Sequence, residues 1–182
     1  METVAAGLAE RGIATLRYQF PYMEKGSKRP DPPAIAQAAV RAAVAEAARR
    51  CAGLPLIAGG KSFGGRMTSQ AQAIAPLAGV RWTGVPRLSA ASGGQAVQRS
   101  RPSTLADVKI PMLFLQGTRD SLAELKLLEP VVKSLGPSAT LHRVEAADHS
   151  FHVPARSGRN DREVMNEILD AFAAWVGEIA AS

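Results

Sequence analysis

The chain has 182 residues, 46% apolar and 21% charged, with 16 glycines and 12 prolines and a net charge of +6; this excludes a disordered, collagen-like or coiled-coil chain and predicts a single domain over residues 1–182. Between Glu46 and Asp107 there is no acid, while Arg49, Arg50, Lys61, Arg66, Arg81, Arg87, Arg99 and Arg101 lie there, but without interleaved aromatics or zinc spacing the stretch reads as a solvated basic face, with no nucleic-acid partner expected. The longest apolar runs are far short of a membrane span, the acidic start METVAAGLAERG is unlike a secretory signal, and Cys51 is the sole cysteine, so no membrane partner and a cytoplasmic location are expected.

Apolar periodicity alternates helices with short β-rich runs, the pattern of a layered α/β domain with a mostly parallel sheet. Residues 2–11 read as a helix ended by Gly12, and Ile13 to Tyr18 as the strand that follows. The turn-rich GSKRPDPP then leads into a long helix whose predicted apolar face holds Ile35, Ala39, Val40, Ala43, Val44 and Ala47, with Arg41, Glu46 and Arg50 largely off it. Leu54 to Ala58 is the next strand, followed by Gly59-Gly60-Lys61-Ser62-Phe63-Gly64-Gly65 and a helix through about Ala75. Further strands are predicted at Ile110 to Gln116 and Ala139 to Glu145, with a helix from Leu122 to Leu135 between them. The chain ends in an amphipathic helix whose Val164, Ile168, Leu169, Phe172, Trp175, Val176 and Ile179 fit a 3.6-residue spacing.

Gly60-Lys61-Ser62-Phe63-Gly64 matches G-x-S-x-G between a strand and a helix, where a nucleophile elbow lies. Side chains flanking the serine are expected to collide in so tight a turn, which is the reason for the two glycines. A phosphate-binding loop would need glycine at position 55, where Pro55 stands. A purely structural glycine-rich turn is the plain alternative.

A serine hydroxyl needs a general base, itself oriented by a carboxylate, and on such a fold these follow in the order Ser, Asp, His. Asp120 comes straight after the apolar MLFLQ in Gly117-Thr118-Arg119-Asp120, and His149 follows the fourth predicted strand in Ala147-Asp148-His149-Ser150-Phe151. The carboxyl ends of three parallel strands would thus converge on one rim. Asp148 competes as the acid, although its adjacency to His149 makes the two side chains diverge. His152 competes as the base, or as a metal ligand beside His149, but no further ligand cluster accompanies it, and no metal or organic cofactor is expected. His142, alternating within a strand, reads as structural. Arg66 and Arg119 read as solvated or paired, or as contacts for an anionic substrate.

The segments RYQFPYMEKGSKRPDPP, GGKSFGGRM, IPMLFLQGTRD and ADHSF, with the SGR stretch and the terminal helix that follow, resemble the α/β-hydrolase superfamily. Within it they are similar to the dienelactone-hydrolase-like family of small bacterial hydrolases, related to a testis-expressed protein and to a hydrolase-like subunit of the NSL complex. The resemblance implies a three-layer α/β sandwich and a serine hydrolase acting on a small-molecule ester-like or other acyl bond through an acyl-enzyme. Ser62 matches the family nucleophile, Asp120 the acid and His149 the base, and the amide of Phe63 one oxyanion donor. A non-catalytic hydrolase-like interaction module is the alternative; the oligomeric state is open.

Two departures from the family pattern stand out. The family has a strand and a His-Gly-Ala-Gly-like loop before the helix that here begins at Met1, and that loop gives a second oxyanion donor; the natural chain is expected to continue upstream. Residues 82–104 replace an apolar strand and a Gly-Phe-Pro-like turn, so the strand near 80–88 is expected to be disturbed. Paired, compensating frame shifts would account for that segment.

Overall fold

A computed structural model describes residues 1–74, 80–84 and 105–181, with the backbone alone described at 74 and 80–84. Four parallel strands, β1 (Leu56–Gly59), β2 (Val80–Gly84), β3 (Met112–Gly117) and β4 (Ala139–Val144), lie side by side in chain order. The helices are α1 (Glu2–Ala9), a short α2 (Pro21–Glu24), α3 (Pro33–Arg50), α4 (Phe63–Ile74), α5 (Leu125–Leu135) and α6 (Asp161–Ala180). None of the described helices is long and apolar enough to cross a membrane.

Alternation along the strands sorts the helices into two layers. Met112 and Phe114 of β3 pack with Leu128 and Val132 of α5, and Ala58 of β1 with Ala36 and Val40 of α3 and Met67 and Ala71 of α4. Leu113 and Leu115, together with Ile57 of β1, face the other way, onto Phe172, Trp175 and Val176 of α6. The central strand β3 is therefore buried on both sides, which is why it reads as a nearly continuous apolar run. α1 joins the α6 layer: the Arg11 guanidinium pairs with Asp170 at 2.7 Å, and Gly7 lies where a Cβ would sit 2.3 Å from Leu169 Cδ1.

The terminal helix has its predicted face: Val164, Ile168, Leu169 and Trp175 are buried, and a capping box of Asn160 and Glu163 starts it. Gly12, at φ 73°, ends α1 as expected; Ile13 N donates to Leu8 O and Gly12 N to Ala9 O, the paired bonds of a Schellman turn. The strand expected at Ile13 to Tyr18 is not formed. Residues 14–19 are exposed, and among the described residues no strand lies beside them to complete a ladder; β1 is itself an edge of the sheet.

The long helix also needs correcting. Ile35 is 48% exposed, and the stripe turned inward is centred on Ala36 and Val40, with Arg41 on its border, its guanidinium donating to Ala71 O at 2.6 Å. Small side chains let α3 lie close to α4, so an alanine rather than the isoleucine marks the buried line. Leu54 and Leu122, predicted at the starts of elements, are exposed in the preceding turns. The backbone of the disturbed segment does form a strand at Val80–Gly84, paired with both neighbours; the rest of that segment, 85–104, lies outside the described residues.

Candidate active site

All four strands run the same way, so the turns that leave β1, β3 and β4 open on one rim of the sheet. Ser62 leaves β1 through Gly60 and Lys61 and adopts φ 54°, a left-handed backbone that costs a non-glycine residue about 1–3 kcal/mol unless its surroundings hold it there. α4 starts at the next residue and is held against α3 and β1, which fixes the turn. A Cβ on Gly60 would sit 3.2 Å from Gly64 C and Gly65 N, a crowded approach to helix backbone, whereas one on Gly64 would make an ordinary 3.8 Å contact with Phe20. Only the first of the two flanking glycines is thus imposed by crowding. Phe63 holds the first position of α4, where a backbone N–H has no intrahelical acceptor.

An aromatic cluster backs the turn. Phe63 meets Phe20 edge-on at 5.1 Å and Tyr22 at 5.9 Å between ring centroids, and the Arg66 guanidinium lies 5.6 Å from the Phe63 ring. Arg66 is therefore neither simply solvated nor ion-paired among the described residues. It stacks on an aromatic face, and its buried Nε lacks a hydrogen-bond partner among the described residues.

Asp120 and His149 are brought together by two loops stitched through their backbones. Thr118 N donates to Val144 O at 3.0 Å and Arg119 N to Ala147 O at 2.9 Å, while Ala146 N donates to Thr118 Oγ1 at 2.9 Å. Gly117 sits so close to the second loop that a Cβ would lie 2.3 Å from Ala147 O and 2.8 Å from Ala147 C. Across this seam His149 Nδ1 meets Asp120 Oδ1 at 3.2 Å, with the carboxylate wholly shielded from solvent. The same Oδ1 accepts from Leu122 N at 2.9 Å and Ala123 N at 3.1 Å, and Oδ2 accepts from Gln116 Nε2 at 2.9 Å. Both oxygens of this buried carboxylate thus have donors that fix its orientation.

Asp148 has a different job. Its Oδ1 accepts from Ser150 N at 2.7 Å and His152 N at 3.0 Å, folding the loop in which Phe151 takes φ 63°. His152 is exposed and paired with Asp161 at 2.7 Å; that hydrogen bond, with the carboxylate's charge, raises the imidazole pKa above 6.5. His142 pairs with Glu167 at 2.9 Å. The three histidines thus have three separate carboxylate partners, and among the described residues no cluster of ligands could hold a metal.

Ser62 shares the rim with this pair, but no hydrogen bond joins its hydroxyl to His149 among the described residues. The elbow is linked to the histidine loop by Lys61 Nζ, which donates to Ser150 Oγ at 3.4 Å. Such bonds are commonly long before substrate binds. Sequence reasoning missed Gln116 and Gly117; the amide interrupting the apolar MLFL run was the available signal for the first. An open depression between α6 and β4, bordered by Thr140, His142, Glu167 and Trp175, includes none of Ser62, Asp120 and His149.

Known structures share the fold. A serine hydrolase homologue from Coxiella burnetii aligns over 95% of this chain and 74% of its own, at 16% identity and TM-score 0.70. A protein of unknown function from Agrobacterium tumefaciens aligns over 97% and 77% at 19% identity and TM-score 0.73, and a serine hydrolase without a lid from Xanthomonas campestris over 95% and 73% at 18% and 0.68. At these identities the likeness is one of fold. The sequence itself matches the model of the alpha/beta hydrolase domain over residues 1–177, so the chain, with its parallel sheet and the loops at its carboxyl rim, belongs to the α/β-hydrolase family.

Proposed function

We propose that this α/β-hydrolase cleaves an ester-like or other acyl bond of a small molecule through an acyl-enzyme on Ser62, within one catalytic domain and in the dienelactone-hydrolase-like branch of its family. The observation that carries this reading is the bond from His149 Nδ1 to the buried, multiply hydrogen-bonded Asp120, on the same rim as a serine in left-handed conformation at a helix N-terminus.

The chemistry follows from the proton inventory. Asp120 accepts from Nδ1, which keeps the imidazole proton there and leaves Nε2 as the basic lone pair. Nε2 takes the hydroxyl proton as Ser62 Oγ attacks the carbonyl, and Asp120 stabilises the imidazolium that forms. The Phe63 amide, reinforced by the α4 dipole, donates to the oxyanion. Collapse expels the leaving group with the proton from Nε2, and water repeats the sequence on the acyl-enzyme. No cofactor enters these steps. The lidless Xanthomonas protein supports a short, open site suited to small or exposed substrates. A lone cysteine supports a reducing, cytoplasmic setting.

A fluorophosphonate probe tests the proposal directly. Wild type is expected to become labelled and to lose p-nitrophenyl acetate hydrolysis in proportion, while Ser62→Ala takes no label. A folded wild-type chain that stays as unreactive as Ser62→Ala would leave the interaction-module reading in its place.

A further inference from the structure

We infer that Gln116 is a positioning residue for Asp120, setting both the rotation and the basicity of the carboxylate that meets His149; this rests on the serine-hydrolase reading above. Gln116 is buried on the face of β3 that it shares with Met112 and Phe114, where the strand otherwise carries apolar side chains. Its Nε2 donates to Asp120 Oδ2 at 2.9 Å, Ala123 O at 3.1 Å and Gly117 O at 3.2 Å. With three oxygens on that side, the amide has only one workable orientation, because turning it over would set Oε1 against a carboxylate and two carbonyls. The correct orientation still leaves Oε1 buried without a partner among the described residues. A methionine would fill the same space without an orphaned oxygen, so packing alone does not call for glutamine.

What the amide supplies is a fixed donor at Oδ2. Leu122 N, Ala123 N and His149 Nδ1 all converge on Oδ1; the Gln116 bond at the opposite oxygen stops the carboxylate from rotating away from the imidazole. A donor to the anion also lowers its basicity. Without it, Asp120 would hold the imidazolium proton of His149 more strongly, and the neutral base would appear only at higher pH. Among the described residues, charged groups on the adjoining loops are Lys61 of the elbow, bonded to Ser150, Arg119 and Asp148 within the two loops, and Glu145, bonded to Thr118; none is altered by a substitution at Gln116.

The test compares wild type, Gln116→Met and Gln116→Glu in p-nitrophenyl acetate hydrolysis across pH, with circular dichroism as the folding control. Gln116→Met is expected to lose about tenfold to a hundredfold in kcat, as for a small misplacement of a catalytic group, with KM within about twofold and the acid limb of kcat/KM moved to higher pH. In Gln116→Glu the new carboxyl, sharing a proton with Asp120, restores the donor at low pH, so its loss should be smaller there and grow as pH rises. An unmoved acid limb in a folded Gln116→Met chain overturns the inference, as does failure of both variants to fold, which would assign the residue to the fold alone. If Ser62→Ala and His149→Ala abolish hydrolysis while Gln116→Met behaves as wild type, only this inference falls; if those two retain it, the hydrolase reading falls with it.

Discussion

Ser62 and Gly117 have opposite relations to the backbone. Ser62 keeps a side chain where glycine would be at ease, since its φ of 54° brings Cβ against its own carbonyl. Ser62→Gly should therefore be more stable than Ser62→Ala by about 1 kcal/mol in urea unfolding, as the glycine relieves the left-handed strain that alanine keeps; equal midpoints would show that the turn relaxes. Gly117 is the reverse, a glycine whose missing Cβ lets two loops touch. Gly117→Ala should push Ala147 away, separate Asp120 from His149, and lower fluorophosphonate labelling about a hundredfold. It should also cost about 1–3 kcal/mol of stability through the overpacked seam. Labelling at the wild-type rate would mean that the seam does not set the pair. At this scale the sequence offered Ser62, Asp120 and His149 as candidates, because hydroxyl, carboxylate and imidazole follow in a readable order, and the structure puts His149 beside Asp120; the sequence did not offer Gly117, since a close approach between distant loops leaves no local pattern.

Elements were legible where their pattern matched their burial. The terminal helix could be read from its apolar stripe because one face of it packs on the sheet; the segment from Ile13 to Tyr18 could not, since its β-like composition says nothing of whether a neighbouring strand is present to receive its hydrogen bonds. α3 misled for a related reason, alanine and isoleucine counting alike in an apolar pattern while only alanine lets α4 come close. The junction between the histidine loop and α6 was not legible at all. There Asp161, in the first turn of the helix, accepts from Val153 N at 3.0 Å through Oδ1 and pairs with His152 through Oδ2. His152 has a raised pKa and Asp161 a lowered one, each chiefly through their mutual hydrogen bond. The sign of the linkage differs for the two groups. The histidine's contribution is fully present below its unfolded pKa and is lost as pH rises through the raised folded value; the aspartate's is present above its unfolded pKa and is lost on acidification. Asp161→Asn should bring the His152 titration, followed by NMR, back down toward 6.5, and the difference in unfolding midpoint between wild type and Asp161→Asn should narrow above neutral pH. A His152 titration that does not move would dissolve the pairing.

At the scale of the whole molecule the basic face and the site both depend on what surrounds them. The acid-free stretch is less isolated than its sequence suggests. Glu46 sits at its border, held down to about 2 by hydrogen bonds from Arg49 and then Arg50, Arg41 turns to a carbonyl of α4, and Arg66 to an aromatic ring. The candidate site, in turn, is spread over the ends of β1, β3 and β4, and β2 stands between the serine's strand and the acid's. The serine-to-histidine spacing is therefore chiefly a property of the sheet; among the described residues the Lys61 to Ser150 bond links the two loops directly. In the wild-type chain a site assembled this way should persist in denaturant until the sheet itself unfolds. In a urea titration the fluorophosphonate labelling rate and the far-ultraviolet circular dichroism should fall with the same midpoint, as for one cooperative unit. Labelling that vanishes well below the unfolding midpoint would mean that the rim opens on its own, and that the loops, rather than the strand order beneath them, hold the serine within reach of the histidine.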